Sequence, residues 1–272
     1  MSTDVLLSFA AWLRLREAAD AAARADGLVE VVRRRLPAAG PIVLHDLGSG
    51  TGSMLRWLAP RLPGPQHWIL YDRDPELLAH ATAGTVTSAD GAPVSVATRC
   101  TDLTRLTAAD FAGAALVTAS ALLDMFTAEE VERVVAACAA ADAPTLLMIS
   151  VTGRVRLTPA HPLDAQVEAA FNEHQRRTVD GRRLLGPDAV DATVAAFARH
   201  GVPVQTWASP WRLGAAQGEL AAEWFRGWLA AACEQRPELA APAAGYARRR
   251  LADAAAGRLG VVVEHLDLLA GG

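Results

Sequence analysis

Cysteine is scarce, and the three present, Cys100, Cys138 and Cys233, lie far apart with no CxxC pair. An odd, scattered set supplies neither a disulfide framework nor a structural zinc site, so isolated thiols are expected. A basic excess is missing too: 26 Lys and Arg stand against 30 Asp and Glu, for a net charge of -4. That balance lacks the electrostatic footprint of a nucleic-acid binder. No apolar run approaches the roughly 20 residues needed to cross a bilayer. The opening MSTDVLLSFAAWLRLREAAD has no basic segment followed by an uninterrupted apolar one, and so reads poorly as a signal peptide. Self-similarity at the roughly 20–50-residue periods of repeat proteins is likewise absent. No linker rich in Pro, Gly or Ser separates an independent domain. The expectation is a soluble, cytoplasmic chain, monomeric or homodimeric, with neither membrane nor nucleic acid as partner.

What is there is a long chain of 272 residues whose 51% hydrophobic content is inflated by alanine. The first ~35 residues are rich in Ala, Leu and Arg and read as helices. After Pro37–Pro41 the rhythm changes. Short apolar runs at Ile42–Leu47, Trp68–Tyr71, Val94–Ala97, Ala114–Ala119 and Thr145–Val151 read as strands, separated by helical stretches at Met54–Leu62, Pro75–Ala81 and Ala128–Ala141. Asp74-Pro75 supplies a capping carboxylate before a first-turn proline, and Thr127-Ala-Glu-Glu130 has capping-box spacing. Strands alternating with helices imply parallel strands joined by right-handed crossovers. Beyond Gly153, residues 161–178 read as a polar helix, and Gly186-Pro187-Asp188 opens another that ends near His200-Gly201. Val202–Trp211 reads as one strand, 214–257 as a helical pair broken at Pro237 and Pro242, and Leu259–Leu268 as a last strand. The division expected is a helical segment over 1–40 and an α/β domain over 41–272, with helical insertions at about 155–185 and 214–257.

The strongest local signal is Val43-Leu-His-Asp46-Leu-Gly48-Ser-Gly50-Thr-Gly52-Ser53. An apolar strand runs into a glycine turn that opens a helix, as a nucleotide-binding turn requires: glycine permits positive φ and lets a ligand approach the backbone. The spacing is GxGxG. A nicotinamide-binding turn would space its third glycine by two residues, and a Walker loop would continue into Gly-Lys-Ser/Thr.

This segment resembles motif I of the class I S-adenosylmethionine-dependent methyltransferases, an acidic residue followed by GxGxG. The resemblance extends over roughly residues 40–150. Tyr71-Asp72 ends the second strand, twenty residues after Gly52, where the family places a carboxylate for the ribose hydroxyls. Cys100-Thr-Asp102-Leu103 follows the third strand, where the family keeps an acidic residue near the adenine amino group. Thr118-Ala-Ser120-Ala-Leu-Leu-Asp124 ends the fourth, beside cofactor and acceptor. The resemblance implies a Rossmann-like, seven-stranded, mostly parallel sheet closed by an antiparallel pair, Val202–Trp211 with Leu259–Leu268. It also implies S-adenosylmethionine as cofactor and S-adenosylhomocysteine as product. The cofactor residues it implies are Asp46, Gly48, Ser49, Gly50, Gly52, Asp72, Arg73, Asp102, Leu103 and Ser120. The Ser-Ala-Leu-Leu-Asp run departs from the Asn/Asp-Pro-Pro-Tyr/Phe element of enzymes acting on nucleic-acid bases, and no Pro-Cys nucleophile is present. A small-molecule acceptor is therefore expected. A non-catalytic binding module and, more remotely, a nicotinamide-dependent oxidoreductase are the other readings.

Methyl transfer is an in-line displacement in which positioning does most of the work, about 7–11 kcal/mol, and a general base adds roughly 10²–10⁴-fold for a hydroxyl or acidic carbon. Candidates for that side are Phe171, His174 and Gln175, which share a helix face suited to a lid, with His174 as base or positioning group and Asp124 as a second acid/base candidate. An amphipathic helix with Phe171 packed inward accounts for the same pattern. His45, inside a core strand, reads as a satisfied structural histidine, and His161 as a weaker candidate. Residues 151–183 hold six Arg against four Asp and Glu, which fits an anionic acceptor or simply a solvated face. Arg16, Asp20 and Arg24 at four-residue spacing form either a helix-surface ion ladder or a cover whose arginine binds the methionine carboxylate or substrate.

Overall fold

The computed structural model describes residues 8–37 and 40–271. Two helices come first, α1 (Phe9–Ala23) and α2 (Asp26–Arg35). The α/β part then alternates β1 (Ile42–Leu47), α3 (Ser53–Leu58), β2 (Gln66–Asp72), α4 (Pro75–Ala81), β3 (Val94–Cys100), β4 (Leu116–Ser120), α5 (Ala128–Ala140) and β5 (Thr145–Thr158). The remainder is α6 (Asp164–Gln175), a two-residue-stranded hairpin β6 (Thr178–Val179) and β7 (Arg182–Arg183), α7 (Ala189–Arg199), β8 (Val204–Ala208), β9 (Trp211–Leu213), α8 (Gly218–Gln235), α9 (Ala240–Ala255) and β10 (Gly260–Ala270). One mixed sheet has the order β3-β2-β1-β4-β5-β10-β8, with β9 also paired to β10. The first five positions are parallel, and β10 runs antiparallel to both β5 and β8. This is the doubly wound α/β architecture the alternating pattern implies, and it turns all the parallel strands' carboxyl ends to one edge.

Local chemistry explains the element ends. Asp74 caps α4 by accepting from the Glu76 and Leu77 N–H groups, with Pro75 in the first turn. Thr127 and Glu130 close a reciprocal capping box on α5. Helix α3 is shorter than Met54–Leu62, because Pro60 turns its continuation into a 3₁₀ turn over Ala59–Arg61. The central strands are buried on both faces, as parallel strands under two helical layers must be. Leu47, Val117 and Leu147 face α5 and α7, while Leu44, Leu116 and Met148 face α2 and α3.

Three differences from the sequence pattern matter. Val202–Trp211 is not one strand. It breaks at Ser209-Pro210 into β8 and β9, both on β10, so the seven-position sheet holds eight strands; Pro210 has no N–H to continue a ladder. Pro242 does not divide the helical pair. It lies in the first turn of α9, where its missing N–H costs no helical bond, and Pro237 alone marks the break. Strand β5 runs on to Thr158, and its outer half pairs with Gly260–Val263 to make an arm beyond the main sheet. Helices α6, α8 and α9 bury Val167, Phe225, Trp228 and Tyr246 against that arm as a third apolar cluster. The hairpin Thr178–Arg183 turns on Asp180-Gly181, both at positive φ, the pair of residues such a turn favours.

The pairing of β4 with β5 ends at Ser120 and Met148. The next residue of each strand, Ala121 and Ile149, is left-handed, at φ 53 and 56. For a β-branched residue this is strained backbone. Asp267 holds it by accepting the Ile149 N–H at 2.7 Å. The two strands thus part at the carboxyl edge, where open α/β sheets form their ligand crevices.

Candidate functional site

The glycine turn between β1 and α3 places Gly48, Gly50 and Gly52 at φ 61, 52 and 82. Space is as restrictive as φ. A Cβ on Gly48 would stand 2.8 Å from Leu122 Cδ1, and one on Gly50 3.0 Å from Leu13 Cδ1 of α1. The turn is therefore covered from two sides, by the β4 end and by α1. Asp72, at the end of β2, accepts the Gly50 N–H at 2.9 Å and, through its other oxygen, the Asp74 N–H at 3.0 Å. The exposed Arg73 follows it. The Thr101 N–H bonds the Asp72 carbonyl at 3.0 Å, which brings Asp102 and Leu103 beside the same strand end. Asp102 is exposed, and one of its oxygens caps the following turn through the Thr104 N–H and hydroxyl; Leu103 is buried.

Asp46 is buried beneath the turn. One oxygen accepts the Thr118 hydroxyl at 2.7 Å, while Oδ2 has no partner among the described residues. Burial pushes its pKa up to about 7, against the Thr118 hydrogen bond and the charge of Arg24, with Asp72 adding to the rise. Ser49 Oγ and Thr51 Oγ1 are also buried and unpartnered. Three buried polar atoms without partners around one covered glycine turn are anomalous, since such groups are nearly always hydrogen-bonded. A ligand offering polar groups along this turn resolves the anomaly.

Arg24, the residue that ends α1, reaches into this region. Its Nη1 donates to the Ser53 carbonyl, and its Nη2 to the Ser53 and Ser120 hydroxyls at 3.2 and 3.1 Å. At 4% exposure it is nearly fully buried, and its Nε lacks a partner. Burial lowers its pKa, opposed by Asp20, Asp46 and Asp267. The expected ladder is therefore only half formed. Arg16 does clasp Asp20 with two bonds of 3.0 and 3.1 Å and stacks over Trp211, whereas Arg24 leaves the helix surface for the turn.

On the other side of the turn, Asp124 follows Leu122 in the 3₁₀ turn Leu123–Met125. Burial raises its pKa, opposed by the charges of Arg16 and Arg177. These arginines belong to α1 and to the residues just beyond α6. The expected lid face is only partly realised. Phe171 packs against the apolar cluster of α8 and α9. His174 is buried rather than presented on an open surface; burial and Arg177 lower its pKa, and Glu234 of α8 is the acidic group opposing them. Gln175 lies against Gly186, whose added Cβ would approach Gln175 Cβ to 2.8 Å. His45 is the structural histidine its position suggests: it hydrogen-bonds the Tyr71 hydroxyl at 2.9 Å and is held neutral, at about 4, by burial and Arg99. His161 serves the N-terminus of α6, accepting the Leu163 N–H at 3.2 Å.

Residues 44–145 match the sequence family described as a methyltransferase domain. Over that stretch, from β1 to the start of β5, the chain is similar to a methyltransferase domain. No curated protein matches it. Among solved structures, a cyclopropane-fatty-acyl-phospholipid synthase-like protein from Lactobacillus casei aligns with TM-score 0.52 and 13% identity, over 97% of this chain and 94% of that one. A cyclopropane synthase from Mycobacterium tuberculosis aligns at TM-score 0.48 and 12% identity, over 91% and 84%. An O-methyltransferase family protein from Burkholderia thailandensis aligns at 0.42 and 16%, over 91% and 58%. The first of these carries the fold comparison. Among the described residues no helix is long and apolar enough to cross a membrane.

Sequence reading missed several residues around the candidate site. Leu13 and Leu122 have no polar signature, and only the folded chain brings them onto the glycines. Asp267 had a signal, a carboxylate inside the apolar run Val261–Leu269. Asn172, within the segment read as a lid, donates to the Gly153 carbonyl at 2.7 Å.

Proposed function

We propose that the protein transfers the methyl group of S-adenosylmethionine to a small-molecule acceptor held in the crevice where β4 and β5 part. The observation that carries the cofactor part is the trio of buried, unpartnered atoms, Asp46 Oδ2, Ser49 Oγ and Thr51 Oγ1, around a glycine turn. Gly48, Ser49, Gly50 and Gly52 would hold the methionine and ribose parts, with Arg24 as the cation nearest their anionic end. Asp72 keeps a second lone pair on each oxygen for a vicinal diol, with Arg73 beside it. Asp102 Oδ2, Leu103 and Ser120 complete the cofactor side. When bound, the sulfonium supplies an electrophilic methyl group. The chain's own residues orient the acceptor and exclude water. An anionic part of the acceptor would lie between Arg16 and Arg177, with Asp124 and His174 the two groups available to take a proton.

The first experiment is a thermal shift. S-Adenosylhomocysteine at a hundredfold excess over its dissociation constant stabilises by about 2.7 kcal/mol through mass action. That corresponds to several degrees in melting temperature at about 2–4 °C per kcal/mol. Gly50→Val, which drives side-chain atoms into Leu13, is expected to abolish the shift. No shift with S-adenosylhomocysteine and a clear one with NAD would overturn the reading.

A further inference from the structure

We propose that a cleft behind the glycine turn is a second ligand site, which takes a small phosphoryl-bearing anion on Arg56 and, when filled, loosens α1 from the turn. Only the effect on cofactor release rests on the methyl-transfer reading. The cleft holds about 310 Å³ between the end of α3 and the loop after α4, and Arg56, Pro60, Ala81, Gly84, Thr85 and Thr87 line it. A Cβ on Gly52 would stand 3.1 Å from Ala81 Cβ, so the cleft wall and the turn are in contact. Among the described residues lining the cleft, Arg56 alone is charged. The last carbonyls of α4 already accept from the Thr82 and Ala83 N–H groups and the Thr82 hydroxyl, which blunts the negative end of that helix. An arginine has five N–H donors in a planar fork. Glu17 of α1 takes one from Nε and one from Nη2, each at 2.7 Å, and the Thr51 carbonyl takes one from Nη1 at 2.5 Å. One N–H on each Nη remains, enough for a bidentate oxyanion.

Thr85 and Thr87 add hydroxyl donors to the same wall. A phosphoryl group, with three acceptor oxygens and a charge of about −1.5 to −2 near neutral pH, uses this set more fully than a carboxylate. Pro60, Ala81 and Val86 suit a small organic part attached to it. Glu17 is the link to the cofactor side. It lies one helical turn after Leu13, the α1 residue that presses on Gly50, and so shares its face. A dianion on Arg56 repels the Glu17 carboxylate and competes with it for one guanidinium. The far end of α1 keeps Asp20 on the Trp211 indole N–H and Arg24 on Ser53 and Ser120. The opening is therefore confined to the Leu13 end, over Gly50, and S-adenosylhomocysteine beneath it leaves faster. The coupling is reciprocal: a cofactor that favours the closed helix weakens the anion by the same factor.

The test uses inorganic phosphate as the probe on the whole chain, with acetate and chloride at matched ionic strength for comparison. Binding is read from the arginine Nε–H NMR resonance that Arg56→Gln removes, and the state of α1 from hydrogen exchange of its amides. Phosphate is expected to shift that resonance, to bind more tightly than acetate and to speed exchange around Leu13. Replacing both Thr85 and Thr87 with valine, which leaves the Glu17–Arg56 clasp in place, should weaken phosphate about tenfold. Glu17→Gln should strengthen it about two- to fivefold, the range for a partly exposed ion pair, and should leave α1 exchanging fast without phosphate. No shift beyond that with chloride, acetate binding as tightly as phosphate, or parent affinity in the valine variant (an adventitious ion only) overturns the site. Unchanged α1 exchange with phosphate bound overturns the coupling. S-Adenosylhomocysteine binding and release are measured separately. Failure to bind at all would overturn the methyl-transfer reading and leave the phosphate results standing, whereas binding with a release rate indifferent to phosphate would again overturn the coupling.

Discussion

Asp72 shows how one residue can shape a site before any ligand arrives. Its two oxygens already accept the Gly50 and Asp74 N–H groups, so the carboxylate fixes the glycine turn as well as standing where the ribose is proposed to bind. Replacing it with alanine removes the acceptors for a diol and frees the Gly50 N–H. The expected cost is about 1–3 kcal/mol, at least tenfold in S-adenosylhomocysteine affinity by calorimetry. Parent-like affinity would leave Asp72 as a turn-former only. Asp102 invites the opposite caution: it caps a 3₁₀ turn through Thr104, and only its second oxygen is free for an adenine amino group.

Among elements, Asp267 is the fastening. It accepts from the Ala25 N–H between α1 and α2, from Ile149 in β5 and from the Ser209 hydroxyl between β8 and β9. Asp267→Ala leaves three buried donors empty, and a loss of about 3 kcal/mol or more is expected in urea unfolding. A loss well below 1 kcal/mol would show that those donors find other partners. Elements defined by neighbouring residues were legible in the sequence: the glycine turn, the Asp74-Pro75 start and the Thr127–Glu130 box all act within a few residues. Helix α6 was legible as a helix, but its surroundings were not. Phe171 and His174 meet α8, whose residues stand far along the chain, and no local spacing reveals which face a distant helix will cover. Whether Arg24 joined the ladder or turned inward was undecided for the same reason, since its partners Ser53 and Ser120 lie at the start of α3 and the end of β4. The strand break at Ser209-Pro210 did have a local signal, the proline itself.

For the whole molecule, pH acts through buried histidines. His45 and His265 are both held at about 4, chiefly by burial, with Arg99 and Arg16 respectively adding to the effect. A folded-state value below the ordinary 6.5 means the unfolded chain binds more protons between the two. Their stability contribution is therefore complete above about pH 6.5 and is lost as pH falls towards 4, by up to about 1.4 kcal/mol per pH unit and group. Asp46, raised to about 7, acts in the opposite sense, so a single-site comparison is the sharper one. His265→Phe should show a smaller drop in urea midpoint between pH 7 and pH 4.5 than the parent; an equal drop would rule His265 out as a source of acid sensitivity. The position of β10 has a different kind of consequence. It lies between β5 and β8, and its Asp267 meets an Ile149 that precedes it by 118 residues. During synthesis the ribosome delivers β1 to β5 long before β10, so the nascent sheet has an unpaired β5 edge until the interior strand arrives. Contacts of such sequence separation form slowly. The interval before β10 docks is when this chain has most need of a chaperone and is most exposed to edge-to-edge aggregation.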